Sequence, residues 1–125
     1  MTNRIRVVLV DDHELVLRAL VAAMEAEPDF DVVGTAMTIA DALRVAAAAD
    51  PHVVVIDYLL PDGDGTDGAR QLRLAAPELR VIMLTGRDDA ATRAAAFDAG
   101  CCGFVVKGAR LDQLVREVRA SVGPR

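Results

Sequence analysis

The sequence predicts an α/β fold: a doubly wound, five-stranded parallel sheet with five flanking helices. Three observations lead there. Five short apolar runs recur at regular intervals along the 125 residues. Stretches of helical pattern separate them. The two central runs show no alternation of apolar and polar residues. Repeated strand–helix alternation builds right-handed βαβ units and a parallel sheet covered on both faces. Strands covered on both faces read as unbroken apolar runs.

The first run is Ile5–Val10. It is followed by "HELVLRALVAAMEAEP", where Val16, Leu20 and Met24 are spaced by four and Pro28 is a stop. The second run is Val32–Ala36, and "TIADALRVAAAADP" comes next. Thr38 is its N-cap, Asp41 stands three residues on, and Pro51 lies beyond its end. The third run, Val53–Ile56, leads through a glycine-rich stretch to "GTDGARQLRLAAP", closed by Pro77. Gly68 falls in the first turns of that helix, where Gly costs about 1 kcal/mol relative to Ala; a frayed helix start is expected. The fourth run is Val81–Leu84. The helix after it, "DDAATRAAAFDAG", offers only Phe97 as a large apolar anchor, so it is expected to be soft. After the last run, Gly103–Val106, the stripe Leu111, Leu114, Val115, Val118 and Val122 marks a final amphipathic helix. No linker, repeat or low-complexity tract interrupts the chain, and one domain over residues 1–125 is expected.

Composition excludes several function classes. A formal net charge of −5 argues against nucleic-acid binding by this segment. No apolar run approaches the roughly 20 residues that span a bilayer. The start lacks the small-residue cleavage site of a secretory signal. Cys101 and Cys102 are adjacent, which suits neither an ordinary disulfide nor a zinc site. A reducing, cytoplasmic setting is expected.

In open α/β sheets, ligands bind outside the carboxyl ends of the strands. Here those ends carry Asp11 and Asp12 ("VLVDD"), Asp57 ("VVVID"), Thr85 ("VIMLTG") and Lys107 ("GFVVKG"). Three neighbouring carboxylates repel each other and call for a cation. Mg²⁺ takes hard oxygen ligands and works beside phosphate oxygens. An ionised Asp57 can attack phosphorus, and Mg²⁺, Lys107 and the Thr85 hydroxyl can share the phosphoryl charge. The strand ends thus describe a phosphoryl-accepting site.

The blocks "VLVDDHELVLRALVAAME", "VVVIDYLLPDGDG", "VIMLTG" and "AGCCGFVVKG" resemble, in order, the receiver domain of bacterial two-component response regulators. "DDHELVLRAL" and "AGCCGFVVKGA" resemble the NarL/FixJ-type subfamily. The resemblance implies a CheY-like (flavodoxin-like) sheet in the order 2-1-3-4-5. It implies that Asp57 is the phosphoacceptor, and that Asp12 binds Mg²⁺ directly with help from Asp11. The backbone carbonyl of Leu59 completes the protein ligands. Thr85 and Lys107 contact the phosphoryl group, and Thr85 and Phe104 form the switch. The implied partners are a histidine kinase and a second copy of the chain on phosphorylation. DNA is reached only through a C-terminal helix-turn-helix domain, which would lie beyond "SVGPR" unless the receiver stands alone. The implied activity is autocatalytic phosphoryl acceptance with slow self-dephosphorylation, not turnover.

The glycine-rich stretch "IDYLLPDGDGTDG" matches G-x-G-x-x-G at Gly63, Gly65 and Gly68. A pyrophosphate would be repelled by Asp62, Asp64 and Asp67, and Gly63 lies too far past the strand. A calcium loop fails because Asp67 stands where Gly is needed and Arg73 where the bidentate Glu is needed. Pro61, Asp64 and Gly65 fit the family's P-x-x-D-G turn. His13 reads as a surface histidine at a helix start. Arg87, two past Thr85, is placed to tune water access. Arg110, Arg116 and Arg119 read as the solvated face of the last helix. Two departures from the family pattern stand out: Gly108 where Pro is common, and Leu60 where Met is frequent. Two rival functions remain. One is a receiver-like module that works without phosphate. The other is a phosphatase of the haloacid dehalogenase type, which would need a second acid where Leu59 stands.

Overall fold

The computed structural model describes residues 4–108 and 110–123; Ala109 and the final Pro124 and Arg125, which occur in motifs quoted above, lie outside them. Five strands form one parallel sheet: β1 (Ile5–Val10), β2 (Phe30–Ala36), β3 (Val53–Asp57), β4 (Arg80–Thr85) and β5 (Gly103–Val106). Their spatial order is β2-β1-β3-β4-β5. Five helices connect and follow them: α1 (Glu14–Glu25), α2 (Ile39–Ala49), α3 (Gly65–Ala75), α4 (Ala90–Asp98) and α5 (Leu111–Ser121). The predicted fold class and strand order are those observed.

The side-chain period of two divides the strands between two cores. Ile5, Val7, Leu9, Val53, Val55, Ile82, Leu84 and Val105 pack against α1 and α5 through Leu17, Leu20, Met24, Leu114, Val115 and Val118. Val8, Val10, Val54, Ile56, Val81, Met83 and Phe104 face the opposite layer, with Ala42, Ala69, Leu72 and Ala96. Every residue of β3 is buried, which is why its sequence carries no alternation. Burying a Val or Leu side chain contributes roughly 1.5–3 kcal/mol. The aliphatic centre of the sheet therefore holds its carboxyl edge rigidly.

Carboxylates begin three of the helices or secure the loops before them. Thr38 caps α2 by accepting from the Asp41 N–H. Asp62 adds a second cap to the same helix, accepting from the Ile39 and Ala40 N–H groups at 2.8 and 3.1 Å. Asp64 caps α3 through the Thr66 and Asp67 N–H groups, and Asp89 caps α4 through Thr92. The stretch between β3 and α3 also makes a short antiparallel pair, Leu59–Leu60 with Gly63–Asp64. The sequence had marked it only as a turn.

Three expectations need correction. The start of α3 is not loose: it is capped by Asp64, and Gly65, Thr66, Gly68 and Ala69 are buried. Gly68 has a steric reason, because a Cβ there would meet Ile56 Cδ1 at 2.7 Å. Phe97 does not anchor α4: it is 47% exposed, and Thr92 and Ala96 are that helix's buried residues. Arg119 is not merely solvated. It donates to Asp29 and Glu27 and covers the Phe30 ring, tying α5 to the α1–β2 turn. Among the described residues every peptide bond is trans, and Gly108 adopts φ +93, a conformation closed to the Pro common there.

Gly65 is the most constrained glycine. Its N–H donates to the Tyr58 carbonyl at 2.6 Å, and a Cβ would stand 2.5 Å from the Asp57 carbonyl oxygen and 3.0 Å from Tyr58 Cα. Backbone atoms yield less than a side-chain tip does. Gly65→Ala is expected to destabilise by about 2 kcal/mol or more, read by urea unfolding. Gly68→Ala should cost less, because Ile56 Cδ1 can move and Ala regains about 1 kcal/mol of helix propensity. Equal costs would refute this ranking.

Candidate functional site

Register and parity bring the predicted residues together. Asp57 ends β3 opposite Leu84, and Thr85 ends β4 opposite Val106. Asp11, Asp57 and Lys107 continue the parity of the strand residues that face α1 and α5, so their side chains converge on one side of the sheet edge. Lys107 Nζ lies 3.0 Å from Asp57 Oδ2 and 3.1 Å from Asp11 Oδ2. The first contact is a directed hydrogen bond. The second is an ion pair, and Asp11 Oδ2 accepts no hydrogen bond.

Asp11 is completely buried and Asp57 is 3% exposed. Burial pushes the Asp57 carboxyl above its ordinary value, and the nearby Asp11 charge adds to this. The hydrogen bond from Lys107 and a backbone N–H from Leu59 pull the other way without cancelling it. For Lys107, burial opposes the charge, yet the hydrogen bond to Asp57 and the close charges of Asp57 and Asp11 outweigh it and raise the ammonium above its usual range. Lys107 thus stays charged and serves as the counter-ion of the two buried carboxylates.

Asp12 begins the β1–α1 turn beside them, and its Oδ1 is buried without a hydrogen-bond partner. His13 was read as a surface residue, and its side chain is indeed 62% exposed. Its ring nevertheless turns to the acids: Nδ1 stands 3.0 Å from Asp11 Oδ1 and 3.1 Å from Asp12 Oδ1. The His13 backbone N–H also donates to Asp11 Oδ1, at 2.9 Å. Atoms of Asp11, Asp12, His13 and Asp57 that could ligate an ion lie within 4.8 Å of one another. Buried carboxylate oxygens without hydrogen bonds, grouped at this spacing, fit a divalent cation with hard-oxygen preference.

Thr85 is buried, and its hydroxyl accepts from the Arg87 N–H at 3.0 Å. Its own hydrogen remains available to an incoming oxygen. The Arg87 side chain turns to Asp89, at 3.4 Å, and not into the acidic cluster. Phe104 is 7% exposed, so its ring is already turned in. The guanidinium of Arg93, from α4, covers it at 4.5 Å from the ring centroid and pairs with Asp88 at 3.1 Å. Sequence reading missed this contact, since nothing local joins Arg93 to a phenylalanine on β5. It also missed Asp62, whose tie to α2 spans 23 positions. The Cys101 thiol is pushed up to about 12, chiefly by burial, and both cysteines are free.

A sequence model of the response regulator receiver domain matches residues 7–119. The chain belongs to the response regulator receiver family. It is 42% identical over 115 residues to the DNA-binding transcriptional activator DevR/DosR of Mycobacterium tuberculosis, covering 92% of this chain and 53% of that protein. It is 30% identical to the transcriptional regulatory protein LiaR of Bacillus subtilis, covering 94% and 56%. The chain therefore spans about half the length of these curated relatives. The receiver domain of the response regulator NarL from M. tuberculosis superposes with a TM-score of 0.91 at 31% identity, covering 98% and 99% of the two chains. These likenesses place the receiver in the NarL/FixJ-type group. Among the described residues no helix is long and apolar enough to cross a membrane.

The raised Asp57 pKa has a consequence for stability. The folded receiver binds this proton more tightly than the unfolded chain, whose value is near 3.8. Asp57 therefore costs no stability below that pH and costs progressively more as pH rises through the folded value. Asp57→Asn is expected to be more stable at pH 7 by about 1 kcal/mol, the ordinary size of a single-site effect. Thermal unfolding should show the gain shrinking as pH falls toward 3.8. A gain independent of pH would refute this account.

Proposed function

We propose that this receiver is a phosphorylation-operated switch that accepts a phosphoryl group on Asp57 from a histidine kinase and so controls transcription. The observation that carries the reading is the pairing of Lys107 with Asp57 and Asp11 at the sheet's carboxyl edge, with the Thr85 hydroxyl at the end of the next strand. Asp57 supplies the attacking oxygen. Its new O–P bond forms as the P–N bond of a phosphohistidine breaks, and that bond pair returns to the kinase imidazole. Lys107 needs no large movement to reach a phosphoryl oxygen, and Thr85 can donate its hydroxyl hydrogen to another. Asp11, Asp12, Asp57 and the Leu59 carbonyl would hold Mg²⁺, which would supply positive charge against the phosphoryl oxygens.

The signal leaves through Thr85. Its hydroxyl holds the Arg87 N–H, so drawing Thr85 toward a phosphoryl group moves the loop that starts α4. That helix buries little and shares the Arg93–Phe104 contact with β5. A changed surface over α4, β5 and α5 is the output, a shift between two packings of one core. It acts through dimerisation or docking in the cytoplasm. DNA, where it is the final target, is bound by a further domain. The receiver catalyses its own phosphorylation and slow dephosphorylation and is not a turnover enzyme.

Intact-mass measurement after incubation with Mg²⁺ and acetyl phosphate tests this. One phosphoryl adduct is expected on the wild type and none on Asp57→Asn. Lys107→Ala should form the adduct slowly, by about 10²-fold or more, as expected for loss of a charge-stabilising group. No adduct from either acetyl phosphate or a kinase would favour a module that works without phosphate.

A further inference from the structure

We infer that Asp62 is a positioning residue for phosphoryl transfer: it locks the loop after Asp57 onto the start of α2 and so fixes the backbone that orients the Asp57 carboxylate. The inference rests on the phosphoacceptor reading of Asp57. It adds to that reading a residue that touches neither the donor nor the transferred group.

The N–H groups of a helix's first turn need acceptors from outside the helix. In α2 two sources supply them. Thr38, the local N-cap, accepts from the Asp41 N–H at 3.0 Å, and its carbonyl takes the Ala42 N–H. The Ile39 and Ala40 N–H groups go to Asp62, one to each carboxylate oxygen, at 2.8 and 3.1 Å. A fork across two neighbouring N–H groups leaves the carboxylate little rotation. The next residue presses the same contact: a Cβ on Gly63 would stand 3.0 Å from Ile39 Cδ1, and Ile39 is buried. The tip of the loop therefore lies against α2.

Thr38 already caps α2, so the helix does not depend on an exposed acid 23 positions away from Ile39. What the contact adds is a fixed point for the acid's own loop. The base of that loop is held separately. The Tyr58 N–H donates to the Leu84 carbonyl at 2.9 Å, and the Tyr58 carbonyl accepts from the Gly65 N–H at 2.6 Å. Between base and tip, Leu59–Leu60 pairs with Gly63–Asp64. Leu59 is thus carried by a small hairpin whose two ends are anchored to different elements. Its N–H donates to the Asp57 carboxylate, while Lys107 Nζ holds Asp57 Oδ2. A carboxylate held from two sides presents its oxygens to an incoming phosphorus in one orientation. With the tip released, the hairpin can pivot about its base and carry the Leu59 N–H away. In-line attack is sensitive to such shifts, since about 1 Å of misplacement can cost about 10²-fold in rate.

The two caps of α2 give the test its control. Thr38→Ala and Asp62→Ala each remove one acceptor from the same helix start, but only the second frees the loop. Asp62 is exposed and α2 keeps Thr38, so Asp62→Ala is expected to fold. Phosphorylation rates with acetyl phosphate and Mg²⁺, read by intact mass, are compared for these two variants, Asp62→Asn and the wild type, with amide hydrogen exchange on each. Asp62→Ala should be phosphorylated about tenfold or more slowly, with faster exchange at Leu59 as well as at Ile39 and Ala40. Asp62→Asn keeps an oxygen that accepts helix N–H groups and should recover most of the rate. Thr38→Ala should react at the wild-type rate and leave exchange at Leu59 unchanged. A wild-type rate in Asp62→Ala, equal slowing in Thr38→Ala, or slowing that Asp62→Asn does not relieve would overturn the positioning role and leave Asp57 standing as the phosphoacceptor. No adduct on the wild type, from acetyl phosphate or from a kinase, would overturn both.

Discussion

The structure depends on the compensation of buried negative charge at the ends of β1 and β3. Asp11 and Asp57 are held almost out of solvent at the ends of strands that are themselves buried. Lys107 Nζ, about 3 Å from both, supplies the nearby positive charge. A carboxylate withdrawn from water without a partner would take up a proton, and a protonated Asp57 is a poor nucleophile. Burial makes these carboxylates costly as charges, and the lysine just past β5 offsets that cost. The opposing influences on Asp57, burial against Lys107, express this balance.

The loops around the site are held by the same chemistry in a milder form. Asp62, Asp64 and Asp89 are exposed or nearly so, and each accepts backbone N–H groups at a helix start. Their pKa values are lowered, first by the Ile39 N–H for Asp62, the Thr66 side chain for Asp64 and the Thr92 N–H for Asp89. Asp62 is the most consequential, because it joins the loop after Asp57 to the start of α2. Movement at Leu59 can therefore be felt by a helix on the sheet's far side from α1. By contrast, α4 buries only small side chains, Thr92 and Ala96, and adds the Arg93 contact with Phe104.

Some sequence readings missed for identifiable reasons. Gly68 was judged by its helix propensity, yet the nearness of Ile56 decides that position. Phe97 was taken as an anchor because it is large, but the turn of α4 that faces the sheet carries Thr92 and Ala96. His13 was judged from its place at a helix start, which is correct, while its ring direction depends on the fold of the β1–α1 turn. In each case the deciding neighbour is distant in sequence or set by a torsion that composition does not record.

The sequence by itself determined the order of elements, the parallel sheet and the residues at its carboxyl edge. Apolar periodicity, proline stops and turn residues are local signals, and strand ends in such a sheet share one edge by topology. Only the tertiary structure decided which of those residues touch. The shared parity of Asp11, Asp57 and Lys107, the Asp62 cap on α2, the Arg93 cover on Phe104 and the turn of His13 toward two carboxylates all need the strands in register. A register is a property of paired chains in space, and no single stretch of sequence contains it.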